Sequence, residues 1–177
     1  MGCLIDRETL DKTIEFHGHT CPGLAIGIRV SELAMERLDI TETPSPLCVV
    51  ETDMCGVDAI QFLTGCTYGK GNLVHRDYGK SAFTFFDRTT SQGFRAVFRK
   101  DFPRSDDQKI TIEEIMAADL DQLFTIDTIA EPPVRPARIM ESIECSACGE
   151  LAMESRIRRF GGQYLCLPCF MDNEQKI

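Results

Sequence analysis

The sequence predicts an α+β fold: a mixed core of helices and antiparallel sheet, followed by a small C-terminal finger clasped by cysteines. Three observations carry this. Segments of helical and strand periodicity are interleaved without a regular strand–helix–strand repeat. A proline-rich stretch, Glu131-Pro132-Pro133-Val134-Arg135-Pro136, holds three of the eight prolines. Proline fixes φ and lacks an amide donor, so this stretch reads as a stiff linker. The nine cysteines also split, five within the first 66 residues and four within the last 35, across a gap of 78. The expected division is therefore a core at 1–130, a linker at 131–142 and a finger at 143–177.

Each core element has its own warrant. Residues 6–16 read as a helix with Leu10 and Ile14 on one face, joined by His17. The span 22–38 carries an apolar stripe through Leu24, Ile28, Leu33, Ala34, Met35 and Leu38, and Pro22 suits a first helical turn. Residues 47–52 are a β-branched strand. Asp53 is a cap for a helix over 54–64 that Gly65 ends. Strands are expected at 73–75, 82–86 and 94–98, the last two as a hairpin around 87–93. Thr111-Ile112-Glu113-Glu114 looks like a capping box opening a helix to about Leu120.

Composition excludes several functions. The net charge is −9, and the acidity belongs to the core, with 13 positive against 21 negative charges in residues 1–130. Such a surface offers no bulk attraction to phosphate backbones. No apolar run reaches the ~18 residues of a membrane span. Charge at Asp6 and Arg7 breaks any signal-peptide core, so a cytoplasmic location is expected. In a reducing compartment the cysteines point to metal ligation or reactive thiols rather than disulfides.

Cys145-Ser146-Ala147-Cys148-Gly149 and Cys166-Leu167-Pro168-Cys169 are two C-x-x-C pairs 17 residues apart. Each pair lets two thiolates approach one ion from a tight turn, and two pairs close a tetrahedral shell. A glycine pair, Gly161-Gly162, marks a hairpin turn between them, and the second pair opens a helix over about 167–175. Knuckle, hairpin and helix describe a treble-clef zinc finger, with iron in a rubredoxin-like site as the other reading of the same ligands. All four positions are protein ligands, so the site is structural. Arg156, Arg158 and Arg159 read as a solvated hairpin face, or as a contact to protein or nucleic acid.

His17-Gly18-His19-Thr20-Cys21-Pro22-Gly23 places three soft donors in five positions. In an extended stretch, residues 17, 19 and 21 point the same way. Cys21 would sit at a helix N-terminus, where free amides favour thiolate. Capping histidines and a plain Pro-Gly turn are the alternative. Cys55 again follows a strand and starts a helix. Asp53 and Asp58 can orient a histidine or serve in acid–base roles. Thr64-Gly65-Cys66-Thr67-Tyr68-Gly69-Lys70-Gly71-Asn72 fails as a phosphate loop, because its spacing is one residue short and Gly71 stands where Ser or Thr would hold magnesium. It remains a glycine-rich turn with one lysine. Cys3 and Cys48 read as incidental.

These segments, with Cys55-Gly56-Val57-Asp58-Ala59-Ile60-Gln61 and Asp77-Tyr78-Gly79-Lys80, resemble the FmdE family, named for formylmethanofuran dehydrogenase, across roughly residues 10–130. Some members of that family carry an added C-terminal zinc finger. The resemblance implies an α+β core, an association with methanogenic one-carbon metabolism and a homodimer. It implies a site at His17, His19, Cys21 and Cys55, as metal ligands or catalytic groups, with Cys66 and Lys70 nearby as cofactor-binding residues. The reaction in the family name needs a molybdenum or tungsten pterin and iron–sulfur clusters. No ferredoxin-like cysteine run is present, so this chain alone is not the dehydrogenase. The expected function is thus a metal-binding accessory protein, with zinc in the finger and a second transition metal in the core. The alternatives are a regulator or adaptor that senses a metal or small molecule, and a thiol- or metal-dependent enzyme whose core cleft takes a small-molecule ligand.

Overall fold

The computed structural model describes residues 2–38, 46–134 and 139–174. The chain forms two compact units, Met1–Arg135 and Pro136–Ile177. Pro136 of the predicted linker lies outside the described residues, as does residue 175 at the end of the predicted finger helix.

In the first unit, α1 (Arg7–His17) starts at Asp6, whose carboxylate accepts from the Thr9 amide at 2.9 Å. It stops at His17 because Gly18 turns left-handed (φ 95°) and donates its amide to Ile14 O. The cluster at 17–21 is therefore built from a helix end and a turn, not from the extended stretch that alternation suggested. In α2 (Pro22–Arg37), every residue from Leu24 to Ala34 is buried, so the helix runs through the core. Strand β1 (Leu47–Val50), helix α3 (Gly56–Thr64) and strand β2 (Leu73–His75) form a single strand–helix–strand unit. Its two strands are parallel, with Val50 opposite His75. Strands β3 (Ala82–Asp87), β4 (Gln92–Phe98) and β5 (Phe124–Ile129) add antiparallel neighbours, giving the order β2-β1-β3-β4-β5. Val30, Leu33 and Ala34 of α2 pack on Val50, Phe83, Phe85, Phe94 and Phe98 of the sheet. Each such buried large side chain contributes about 1.5–3 kcal/mol.

Two helix starts differ from expectation. Helix α4 (Gln108–Ala117) begins at Asp107, whose carboxylate accepts from the Lys109 amide. Thr111 is not its cap: it is buried, and its hydroxyl exchanges hydrogen bonds with Ser105. Asp53 does not cap α3 either. The helix starts at Gly56 after Cys55, and the preceding turn is held by Thr52 Oγ1, which accepts from the Met54 amide. A short helix α5 (Leu120–Leu123) leads into β5, and neither was assigned from periodicity.

Helices α2 and α3 meet backbone to backbone. A Cβ at Gly27 would overlap the Gly56 backbone, and one at Gly56 would lie 2.8 Å from Gly23 O. Only glycine permits that approach. Gly27→Ala should therefore cost about 1–3 kcal/mol, as overpacking does, read as a lowered thermal midpoint.

Just after β1, Glu51 accepts from Arg95 Nε at 2.7 Å and Nη2 at 2.9 Å. The guanidinium holds the Glu51 carboxyl below its ordinary value of 4.5. A depressed carboxyl adds stability above its unfolded pKa and loses it as pH falls through the folded one. Denaturant melts of Glu51→Gln should show a loss of about 2 kcal/mol at pH 7. That gap to the wild type should begin to narrow only as pH falls below about 4.5 and close once it passes the lowered folded value.

Candidate metal centres

The fold brings His17, His19, Cys21 and Cys55 together, with one donor atom of each lying within 4.8 Å of the others. Elements 38 residues apart in sequence supply them. His17 ends α1, and Cys21 is the N-cap of α2. There Cys21 Sγ accepts from the Leu24 amide at 3.3 Å. Cys55 heads α3, which the glycine contact presses against α2.

His17 supplies the most telling geometry. Its Nδ1 lies 2.7 Å from Asp58 Oδ2. A carboxylate can only accept, so Nδ1 carries a proton, and in a neutral ring the Nε2 lone pair would face the other way. Nε2 is buried and has no hydrogen-bond partner among the described residues. An orphaned buried acceptor beside two sulfurs and a second imidazole fits a cation, and two Cys with two His is a tetrahedral zinc set. Burial raises the Cys55 thiol above its ordinary pKa, and neighbouring Cys21 and Asp58 push it further. Without a cation, then, Cys55 is held as a thiol rather than a free nucleophile.

Beside this cluster lies a cleft of about 380 Å³ that touches His17 and Cys55. It opens outside the carboxyl ends of the parallel strands β1 and β2, where strand–helix–strand units place ligands. Asp53, predicted as a cap, lines it together with Thr52, Gln61, Tyr68 and His75. Sequence reasoning missed these last four. His75 reaches the wall because β2 pairs in parallel with β1, a long-range contact that no local pattern in the sequence marks.

Cys66 and Lys70 fall outside both the cluster and the cleft lining. Cys66 is fully buried, and its thiol donates to Pro46 O. Burial pushes its pKa up to about 11. Lys70 Nζ donates to the Gly65 carbonyl, and Asn72 closes the same turn by accepting from the Thr67 amide. The glycine-rich loop thus spends its polar groups on itself.

The second unit carries the other cluster. Strands β6 (Ser142–Glu144) and β7 (Leu151–Met153) flank the first C-x-x-C. Strands β8 (Ile157–Phe160) and β9 (Gln163–Cys166) form the next hairpin, turned by Gly161 and Gly162 at φ 56° and 82°. Helix α6 (Leu167–Asn173) follows at once. Cys145, Cys148, Cys166 and Cys169 converge, with Cys148 Sγ 3.9 Å from Cys166 Sγ. Gly149 takes φ 74° to close the knuckle. Backbone amides of Cys148 and Cys166 lower the Cys145 thiol to about 6, while contact with Cys166 raises Cys169 to about 12. Such crowded sulfurs ionise together only around a cation. Arg156, Arg158 and Arg159 are exposed, the first two bonding to Ser155.

Fold and site define a metal-binding α+β protein with a C-terminal C4 zinc finger. A family described as "FmdE, Molybdenum formylmethanofuran dehydrogenase operon" matches residues 16–128. The "Prokaryotic dksA/traR C4-type zinc finger" matches residues 137–175. The chain belongs to the FmdE family. It is 31% identical, over 188 aligned positions and 88% of its length, to a protein of Archaeoglobus fulgidus named "Probable S-adenosyl-L-methionine-binding protein". It spans about half the length of that relative. The crystal structure of a tungsten formylmethanofuran dehydrogenase FmdE-like protein from Syntrophus aciditrophicus has the same fold. The TM-score is 0.71 at 24% identity, over 96% of this chain and 94% of that one. Among the described residues, no helix is long and apolar enough to cross a membrane.

The finger should depend on its ion. Cys166→Ser is expected to shed one zinc per chain and to melt the two hairpins and α6, while the five-stranded sheet persists. Metal analysis with amide NMR spectra reads both.

Proposed function

We propose that this chain is a metal-binding accessory protein of its family, holding a transition metal at His17, His19, Cys21 and Cys55 in addition to the zinc of the finger. One observation carries the reading: the buried Nε2 of His17 has no hydrogen-bond partner among the described residues, while Nδ1 is committed to Asp58. The ligand set matches zinc in softness and number. The metal would supply Lewis acidity to whatever enters the cleft, and Asp58 would orient the first histidine. The place in one-carbon metabolism is supported by the operon in the family's description. A cytoplasmic setting agrees with the wealth of unpaired thiols.

A homodimer is supported by an apolar patch beside the site. Phe16 and Phe62 are 56% and 39% exposed with ring centroids 5.6 Å apart, and Met54 is also exposed. In sedimentation equilibrium, Phe62→Glu should behave as a monomer, where the wild type sediments as a dimer.

The metal reading is tested by counting ions. The purified chain should carry two, and Cys21→Ser only one. Asp58→Asn should keep its fold and weaken the core metal about 10–100-fold, as loss of an orienting carboxylate does. Competition with a chelator reads that shift. A wild-type count of one would sink the core site.

A further inference from the structure

Three of the four core donors are held by the fold, and the fourth is not. The His17 side chain is 8% exposed and tied to Asp58. The Cys21 sulfur is tied to the Leu24 amide, and its carbonyl accepts from Ala25 N. Cys55 is fixed by the glycine contact between α2 and α3. His19, by contrast, follows the left-handed Gly18 in a short loop and is exposed. Its ring lies 4.5 Å from that of His17, and it makes no hydrogen bond among the described residues. Three anchored protein ligands and one exchangeable position are the arrangement of metal sites that admit an outside ligand, whereas sites built only for structure are closed.

The cleft touches His17 and Cys55 but neither His19 nor Cys21. A ligand in it would lie against two of the four donor side chains. Asp53 stands at its wall with an exposed carboxylate that has no hydrogen-bond partner among the described residues.

We infer that His19 is the displaceable ligand, and that the cleft admits a small aminothiol whose sulfur replaces His19 on the metal while its ammonium meets Asp53. This rests on the core metal proposed above. A centre with two cysteine ligands favours another soft donor over a hard one. A thiolate added to such a centre also brings a negative charge, which the ligand's own ammonium offsets. In the exchange the metal–imidazole bond breaks, a metal–sulfur bond forms and the thiol proton leaves to solvent. No oxidation state changes.

The full chain loaded with cobalt(II) tests this, through the visible d–d bands of the core site. Cysteamine should shift those bands in the wild type and equally in Cys166→Ser, where cobalt is confined to the core. β-Alanine, which has the ammonium but no thiol, should leave them unchanged. 2-Mercaptoethanol, lacking the ammonium, should need about threefold more ligand, and Asp53→Asn should impose a similar loss on cysteamine, the scale of one exposed ion pair. His19→Ala should keep two metals per chain and respond at lower cysteamine concentration. If His19→Ala sheds its core metal as Cys21→Ser does, or if cysteamine leaves both wild type and His19→Ala spectrally unchanged with two metals bound, the inference is overturned and the core site stands. A wild type with a single metal overturns both.

Discussion

The contact on which the site depends is between two backbones. Gly23 and Gly27 on α2 and Gly56 on α3 let the helices touch without side chains between them. Cys21 and Cys55 each head one of these helices, so the closeness of the axes becomes the closeness of two sulfurs. A single methyl at Gly27 would force the helices apart by more than the tolerance of a coordination sphere. The donors belong to rigid elements, and the precision of the centre is inherited from helix packing.

The electrostatics follow from the same arrangement. Gathering two cysteines, two histidines and Asp58 in one half-buried place makes thiol ionisation costly, as the raised Cys55 shows. The same gathering makes a cation favourable, because it satisfies the orphaned imidazole nitrogen and stabilises the thiolates together. The finger solves the problem differently. Backbone amides stabilise charge on Cys145, and the remaining sulfurs rely on the ion. One unit already has a sheet core beneath its donors, whereas the other, among the described residues, buries Cys145, Leu165 and Cys166 as a small cluster of its own.

Much of this was legible in the residues. The C-x-x-C pairs announce themselves because both ligands of each pair are local, and the hairpin between them is marked by two glycines. The helices expected at 22–38 and 54–64 follow from stripe and stop signals, and they form as Pro22–Arg37 and Gly56–Thr64. The nearness of His17, His19 and Cys21 is local too, although the route is a helix end and a left-handed glycine rather than a strand. What periodicity could not show is long-range. Nothing near Gln61, Tyr68 or His75 says that they share a wall with His17, because that depends on β1 and β2 pairing in parallel. Thr111 resembled a cap because its spacing to Glu114 is right, yet its hydroxyl is drawn inward by Ser105. Cys66 and Lys70 lie close to the site in the motif but not in space, since Cys66 points into the core and Lys70 caps a carbonyl of its own turn.

Cys48 and Cys66 are sealed in the core with thiols that resist ionisation. It is the thiolate that attacks peroxide and other electrophiles, so these two sulfurs are chemically quiet. The vulnerable ones are those that the ions would cover, among them the exposed Cys148. Metal occupancy therefore doubles as armour: a chain stripped of its ions exposes to oxidants the atoms it needs to bind them again, so damage there would prevent reloading.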